Sequence, residues 1–146
     1  MKKYLLIFLA FVAMSFDVWQ PDFEKAKDIA KEKHELILLN FSGSDWCGPC
    51  IRMRKEILDN EAFTQMADNS LVLVNADFPR NKKNQPDKNT QKQNEALADK
   101  YNAEGKFPFT LLLDANGNVL KTWDGLPNET AAEFAAQIKN ICDARK

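Results

Sequence analysis

A tryptophan, two cysteines and a Gly-Pro pair stand between an apolar run and a helix-forming stretch. Trp46-Cys47-Gly48-Pro49-Cys50 follows Leu36-Ile37-Leu38-Leu39-Asn40-Phe41 and precedes Ile51-Arg52-Met53-Arg54-Lys55-Glu56-Ile57-Leu58. Two cysteines at this spacing, on a strand-to-helix junction, form a redox pair for a physical reason. The first sits where the unpaired N–H groups of a helix start favour an anion, so its thiol ionises below the ~8.5 of a free cysteine. The second can attack the sulfur of a mixed disulfide formed on the first. The chemistry implied is thiol–disulfide exchange, with Cys47 as nucleophile and Cys50, a turn inside the helix, as the buried resolving thiol. Pro49 suits the first helical turn, where its missing N–H costs nothing. Two other uses of the pair stay open. A structural zinc site takes about four ligands, for which only Cys142 and His34 remain. A purely structural disulfide over so short a loop would add little through chain entropy.

The flanking pattern is that of alternating helices and strands. Asp22 to His34 reads as a helix with Phe23, Ala26, Ile29 and Ala30 on its apolar line. Leu36 to Phe41 is a continuous apolar run, as a strand covered on both faces requires. The redox helix is expected to run to about Asp59, with a further piece from Glu61 to Ala67. Leu71 to Ala76 is a second buried strand. Asp77 to Thr90 is polar and reads as a solvated loop, or else as a specificity loop beside the cysteines. Gln91 to Tyr101 returns to helical spacing. Phe109 to Leu113 and Val119 to Trp123 are strands joined by Asp114-Ala115-Asn116-Gly117-Asn118, a hairpin signal. Thr130 and Glu133 form a capping box for a last helix reaching about Ala144, with Phe134, Ile138 and Ile141 inward. The two strand–helix–strand crossings imply parallel pairing and the hairpin an antiparallel pair. The expected fold class is α/β, a mixed four-stranded sheet with helices on both faces and an extra N-terminal helix.

Residues 1–15 read as a signal peptide and 16–146 as the folded domain. Lys2 and Lys3 make a basic start, Tyr4 to Met14 an apolar stretch of eleven residues, and Ala13-Met14-Ser15 a small-residue cleavage site. Eleven residues fall short of the ~20 that span a bilayer; an uncleaved anchor is the alternative. Losing the two lysines leaves 18 basic and 21 acidic side chains, a formal net charge of −3. Such a balance has no electrostatic footprint for nucleic acid. Three cysteines are too few and too unevenly spaced for a disulfide-stapled scaffold. Cys142 is left over, read as a half-buried helix thiol or a regulatory one. His34 reads as a favourable charge at a helix C-terminus.

The motif Trp46-Cys47-Gly48-Pro49-Cys50 is identical to the active-site motif of thioredoxin, and the chain from about residue 20 to 145 resembles the thioredoxin superfamily. Phe107-Pro108-Phe109 stands where that superfamily keeps its cis-proline, and the 114–119 hairpin is also in place. The chain is similar, more narrowly, to exported bacterial thioredoxin-like proteins with an extra N-terminal helix, some of them disulfide isomerases or reductases. Trp19, Phe23, Ala26 and Lys27 resemble their lead-in. Phe41 to Cys47 resembles their approach to the motif, one residue longer than in thioredoxin itself.

The resemblance implies a thioredoxin fold and a protein-disulfide oxidoreductase, working as a reductase with no cofactor beyond the redox-active Cys47–Cys50 disulfide and no metal. Trp46, Gly48, Pro49, Phe107 and Pro108 would meet the substrate. Gly48 and Pro49 would also set the pair's potential. A cis Pro108 would offer the Phe107 backbone to a client strand and keep an N–H away from the thiolates. Expected partners are client proteins with disulfides and a membrane electron donor that recycles the dithiol. The protein would be a monomer in the bacterial periplasm. Asp45 reads as a like charge that raises the Cys47 pKa or as a turn residue. Arg52, Arg54 and Lys55 read as a solvated face, with Arg52 close enough to Cys50 to influence thiolate stability. One departure is chemical. Asn40 occupies the place of thioredoxin's buried aspartate, and Leu73 lies near where its partner lysine would be. Asn40 cannot accept a proton, so resolution is expected to draw on water or another carboxylate. Isomerase or oxidase activity, and a non-enzymatic client-binding module, are the competing readings.

Overall fold

In the computed structural model, which describes residues 19–146, the apolar run after His34 becomes the middle of a four-stranded sheet. The signal peptide expected at 1–15 lies outside the described residues. Strand β1, Leu36–Ser42, is buried at every position, which is why its sequence is nearly all apolar. Strand β2, Leu71–Asp77, pairs with it in parallel. On its other side β1 meets β3, Phe109–Leu113, antiparallel, and β3 meets β4, Val119–Asp124, also antiparallel. The sheet order is β2-β1-β3-β4. Parallel pairing was expected from both strand–helix–strand crossings. Only the first produces it; the second carries β3 past β2 to the far side of β1 and reverses its direction.

Period-2 alternation along β1 and β2 assigns each residue to one of two helical layers. Leu36, Leu38, Leu71, Leu73 and Leu112 face a layer with Met53, Phe63, Phe134 and Ile138. Ile37, Leu39, Val72, Val74 and Leu111 face Phe23, Ala26, Ala30 and Leu97. The first layer holds α2 (Gly48–Arg52), α3 (Glu61–Ala67) and α5 (Ala131–Asp143). The second holds α1 (Phe23–Lys33) and α4 (Lys88–Tyr101). The thioredoxin fold is thus present with its additional N-terminal helix. Trp19 begins the described chain by bridging to Leu73, and the Gln20 N–H donates to the Leu73 carbonyl at 2.7 Å.

Three boundaries carry information. The α2 helix is α-helical only to Arg52 and continues as a π-helix over Met53–Leu58. The wider turn keeps Met53, Ile57 and Leu58 together on the buried face, and such turns are frequent at functional sites. Helix α4 starts at Lys88, three residues earlier than expected, because the Asp87 carboxylate accepts from the Asn89 and Thr90 N–H groups. The polar stretch before it therefore ends at Asp87 and contains a short 3₁₀ turn, Lys82–Asn84. The capping box is formed: Thr130 Oγ1 accepts from the Glu133 N–H and Glu133 accepts from the Thr130 N–H. At the hairpin, Gly117 has φ +85°, and a Cβ there would lie 2.7 Å from the Tyr101 hydroxyl, which donates to the Gly117 carbonyl. Both facts demand glycine.

Candidate active site

Cys47 is the N-cap of α2, and its sulfur accepts the Cys50 N–H at 3.2 Å. The two sulfurs are joined as a disulfide. Helix position separates their environments, not burial: Cys47 is 5 % and Cys50 4 % exposed. Cys50 is buried as expected, and in the oxidised pair Cys47 is buried with it.

On the Cys47 side the surface is aromatic. Trp46 packs edge-on against Phe107 at 5.4 Å, and Phe107 packs edge-on against Phe78 at 5.7 Å. The indole N–H of Trp46 donates to the Phe78 carbonyl at 2.7 Å. Gly43 makes the indole's placement possible, since a Cβ there would lie 2.2 Å from the ring. The Phe107–Pro108 peptide is cis, and the Pro108 carbonyl accepts from the Gly125 N–H. Arg80 lies over the Trp46 ring at 4.1 Å. Trp46 and Phe107 thus come together, with the cis Pro108 next in the chain to Phe107 and the Gly48-Pro49 pair three residues or fewer from Trp46.

Asp45 is the turn residue it was read as, and it does one thing more. Its carboxylate accepts from the Arg80 N–H at 2.8 Å, the Asn81 N–H at 2.9 Å and the Asn84 side-chain amide at 3.0 Å. These bonds, the Arg80 N–H first, hold its pKa below the ordinary aspartate value. Asp45 is the anchor that fastens the 78–87 loop beside Trp46. The solvated loop read from sequence is therefore fixed at its near end to the redox motif.

On the Cys50 side the lining residues are mostly polar, although carbon atoms supply most of the accessible surface. A cleft of about 230 Å³ is lined by Cys50, Asn40, Asn75, Ser42, Ser44 and the Arg54–Asp59 pair, with Lys55 and Ile51 at its margin. Asn40 is buried, accepts from the Thr110 hydroxyl at 2.9 Å and donates to Asn75 Oδ1 at 2.9 Å. Ser42 Oγ lies 3.2 Å from Asn75 Oδ1 and 3.0 Å from Asp77 Oδ1. Ser44 donates to the same carboxylate through both N–H and hydroxyl. The residue of β2 in register with Asn40 is Asn75, two positions beyond Leu73; Leu73 itself is core. Arg52, expected on a solvated face but close enough to Cys50 to influence its thiolate, is exposed and paired with Glu56 at 3.0 Å. Arg54 and Lys55 are the cations that reach the cleft. Arg54 also stacks on Trp19 at 4.7 Å.

The profile of the thioredoxin-like domain family matches residues 23–141. The chain belongs to the thioredoxin-like family. It is 35% identical over 127 residues to the disulfide bond reductase DsbH of Chlamydia pneumoniae, covering 87% of this chain and 74% of that protein. It is 28% identical to the thioredoxin-related protein DsbJ of Chlamydia pneumoniae, over 87% of this chain but only 36% of that longer protein. A solved structure of DsbH oxidoreductase superimposes with a TM-score of 0.77 at 30% identity, covering 86% of this chain and 83% of that one. With the Cys47–Cys50 disulfide at the head of α2, the chain is a protein-disulfide oxidoreductase. The redox-active group is that disulfide. Among the described residues no cluster of three or more His, Cys, Asp or Glu side chains is placed to hold a metal ion. Cys142 stands apart, buried on α5 with its sulfur 4.0 Å from the Ser70 carbonyl, and burial pushes its thiol pKa up.

Proposed function

We propose that the protein is an exported reductase of disulfides in other proteins. The observation that carries this reading is the Cys47–Cys50 disulfide at the N-terminus of α2, with Gly48 and Pro49 between, in a chain 35% identical to a disulfide bond reductase. In the reduced state the Cys47 thiolate attacks a client disulfide and expels one client thiolate, forming a mixed disulfide. Cys50 gives up its proton and attacks Cys47 Sγ, which expels the second client thiolate and restores the Cys47–Cys50 disulfide. The client lies against Trp46, Gly48, Pro49, Phe107 and Pro108, whose aromatic members supply apolar area with little loss of rotamer freedom.

Residues 1–15 act as a leader for export, which places the folded part, from residue 16 on, in an oxidising compartment such as the bacterial periplasm. There the dithiol survives only if a membrane electron donor regenerates it. No helix among the described residues is long and apolar enough to cross a membrane. The protein works as a monomer that meets donor and client in turn at the same rim. The reduction potential of the pair tests the direction of flow. A value near −270 mV, as for thioredoxin, supports a reductase, and a value near −120 mV would make the protein an oxidant instead.

A further inference from the structure

Resolution of the mixed disulfide releases a proton from Cys50, and no aspartate stands on β1 to take it. The side chains that line the sheet face below Cys50 are set by alternation: Asn40 and Ser42 on β1, Asn75 and Asp77 on β2, Thr110 on β3. They form one connected array. Thr110 donates to Asn40 Oδ1, Asn40 Nδ2 donates to Asn75 Oδ1, and Ser42 and Ser44 both contact the Asp77 carboxylate. Ser42 has one hydroxyl proton. Both acceptors are already engaged, Asn75 Oδ1 by Asn40 and Asp77 Oδ1 by the Ser44 N–H; of the two, the Asp77 carboxylate oxygen is the nearer, at 3.0 Å against 3.2 Å, and the stronger acceptor. The Ser42 proton therefore points to Asp77, leaving the oxygen's lone pairs free to accept from the cleft. Ser42 and Cys50 line that same cleft of about 230 Å³, which has room for several waters at about 30 Å³ each.

We propose that Asp77 is the proton acceptor for the resolving step, reached from Cys50 through cleft water and the Ser42 hydroxyl. The step balances as follows. Cys50 Sγ forms a bond to Cys47 Sγ, the bond from Cys47 to the client sulfur breaks, and the client leaves as thiolate. The Cys50 proton passes to water, water protonates Ser42 Oγ, and Ser42 delivers its own proton to the Asp77 carboxylate. No electron acceptor is needed beyond the client disulfide. The charged groups facing the route are Arg54 and Lys55 from the π-helical extension of α2, Asp59 at its C-cap, and Asp77 from β2; β1 and β3 contribute neutral side chains. Asp59 is the other carboxylate at the cleft, but it is held in an ion pair with Arg54 at 2.7 Å. Asp77, by contrast, faces no cation in the array and is tied to the cleft-lining Ser42.

The inference rests on the reading of Cys47 as attacker and Cys50 as resolver, and one experiment keeps the two separable. Reduced protein mixed with Ellman's reagent releases one aromatic thiolate when Cys47 attacks and a second when Cys50 resolves. General-base assistance is worth about 10²–10⁴-fold. With water left as a substitute, Asp77→Asn is expected to slow the second phase about tenfold near pH 7, to displace its pH profile to higher pH, and to leave the first phase unchanged. Ser42→Ala, which keeps the carboxylate and its Ser44 contacts, is expected to do the same. Asn40→Asp introduced into Asp77→Asn is expected to restore the second phase, because it places a carboxylate beneath the cleft; a merely structural role for Asp77 would not be rescued this way. A wild-type second phase in either Asp77→Asn or Ser42→Ala overturns the route, as does a loss found in Asp59→Asn and not in Asp77→Asn. If Cys50→Ser instead shows two phases, the assignment of Cys50 as resolver is what fails.

Discussion

The two ends of the Cys47–Cys50 disulfide open onto opposite chemistry. At Cys47 the neighbours are aromatic and stacked: Trp46, Phe107 and Phe78, with Arg80 over the indole. At Cys50 they are amides, hydroxyls and an ion pair: Asn40, Asn75, Ser42, Ser44 and Arg54–Asp59. The two cysteine residues are equally buried, so residue exposure does not assign their roles. The difference teaches how the proposed mechanism would divide the work, by surroundings and not by exposure. An apolar, rigid rim suits recognition of an extended client, while a polar cleft suits the proton that must leave when the client is released.

The first way to break this comparison is to remove one sulfur. Cys47→Ser is expected to abolish insulin reduction, whereas a variant that keeps turnover would mean the aromatic rim is not where attack occurs. Next in size is the contrast between reactive and inert thiols. In the reduced protein Cys47 is expected to be alkylated about a hundredfold faster than Cys142 at pH 8, since burial raises the Cys142 pKa and keeps it a protonated thiol. Peptide mapping of iodoacetamide adducts over time measures the ratio; equal rates would contradict it. Third, Trp46→Ala is expected to lower kcat/KM for a protein client about tenfold, equal to about 1.4 kcal/mol. Its resolving phase with Ellman's reagent should be untouched, and a change there would show that the rim and the cleft are not separate.

The smallest effect concerns the loop anchor. Asp45 has a folded-state pKa below its unfolded value, so its grip on the loop is fully present above the unfolded pKa. The grip is lost as pH falls through the folded one. The Arg80 and Asn81 amide resonances are therefore expected to titrate with a midpoint below the 3.8 of an ordinary aspartate. A midpoint at or above that value would detach the loop from the motif.

Much of this was legible in the residues. The buried β1 announced itself by an unbroken apolar run, α5 by its capping box, and the redox pair by its place between strand and helix. The crossing from β2 to β3 was not legible, because a helix between two strands permits either direction once the second strand lies beyond a neighbour. The early start of α4 was hidden because Lys88, Asn89 and Thr90 carry no apolar periodicity, and Asp87 alone marks the cap. Asn40 was noticed through its departure from the family pattern. Its companions were missed because Ser42, Asn75 and Asp77 each look like polar residues at a strand end. Alternation would have found them: positions 36, 38, 40 and 42 of β1 and 71, 73, 75 and 77 of β2 fall on one face, apolar at the start and polar at the end nearest the cysteines. The docking of Asp45 onto residues 80–84 joins segments about 35 positions apart, and no local pattern encodes it.

The division of labour between the two sulfurs is tested most directly by trapping. Reduced Cys50→Ser and Cys47→Ser proteins are each incubated with a disulfide-bonded client and resolved on a non-reducing gel. The account predicts a mixed disulfide through Cys47 in the Cys50→Ser protein and none in the Cys47→Ser protein. An adduct that forms on Cys50 in the Cys47→Ser protein, with none on Cys47 in the other, would contradict it.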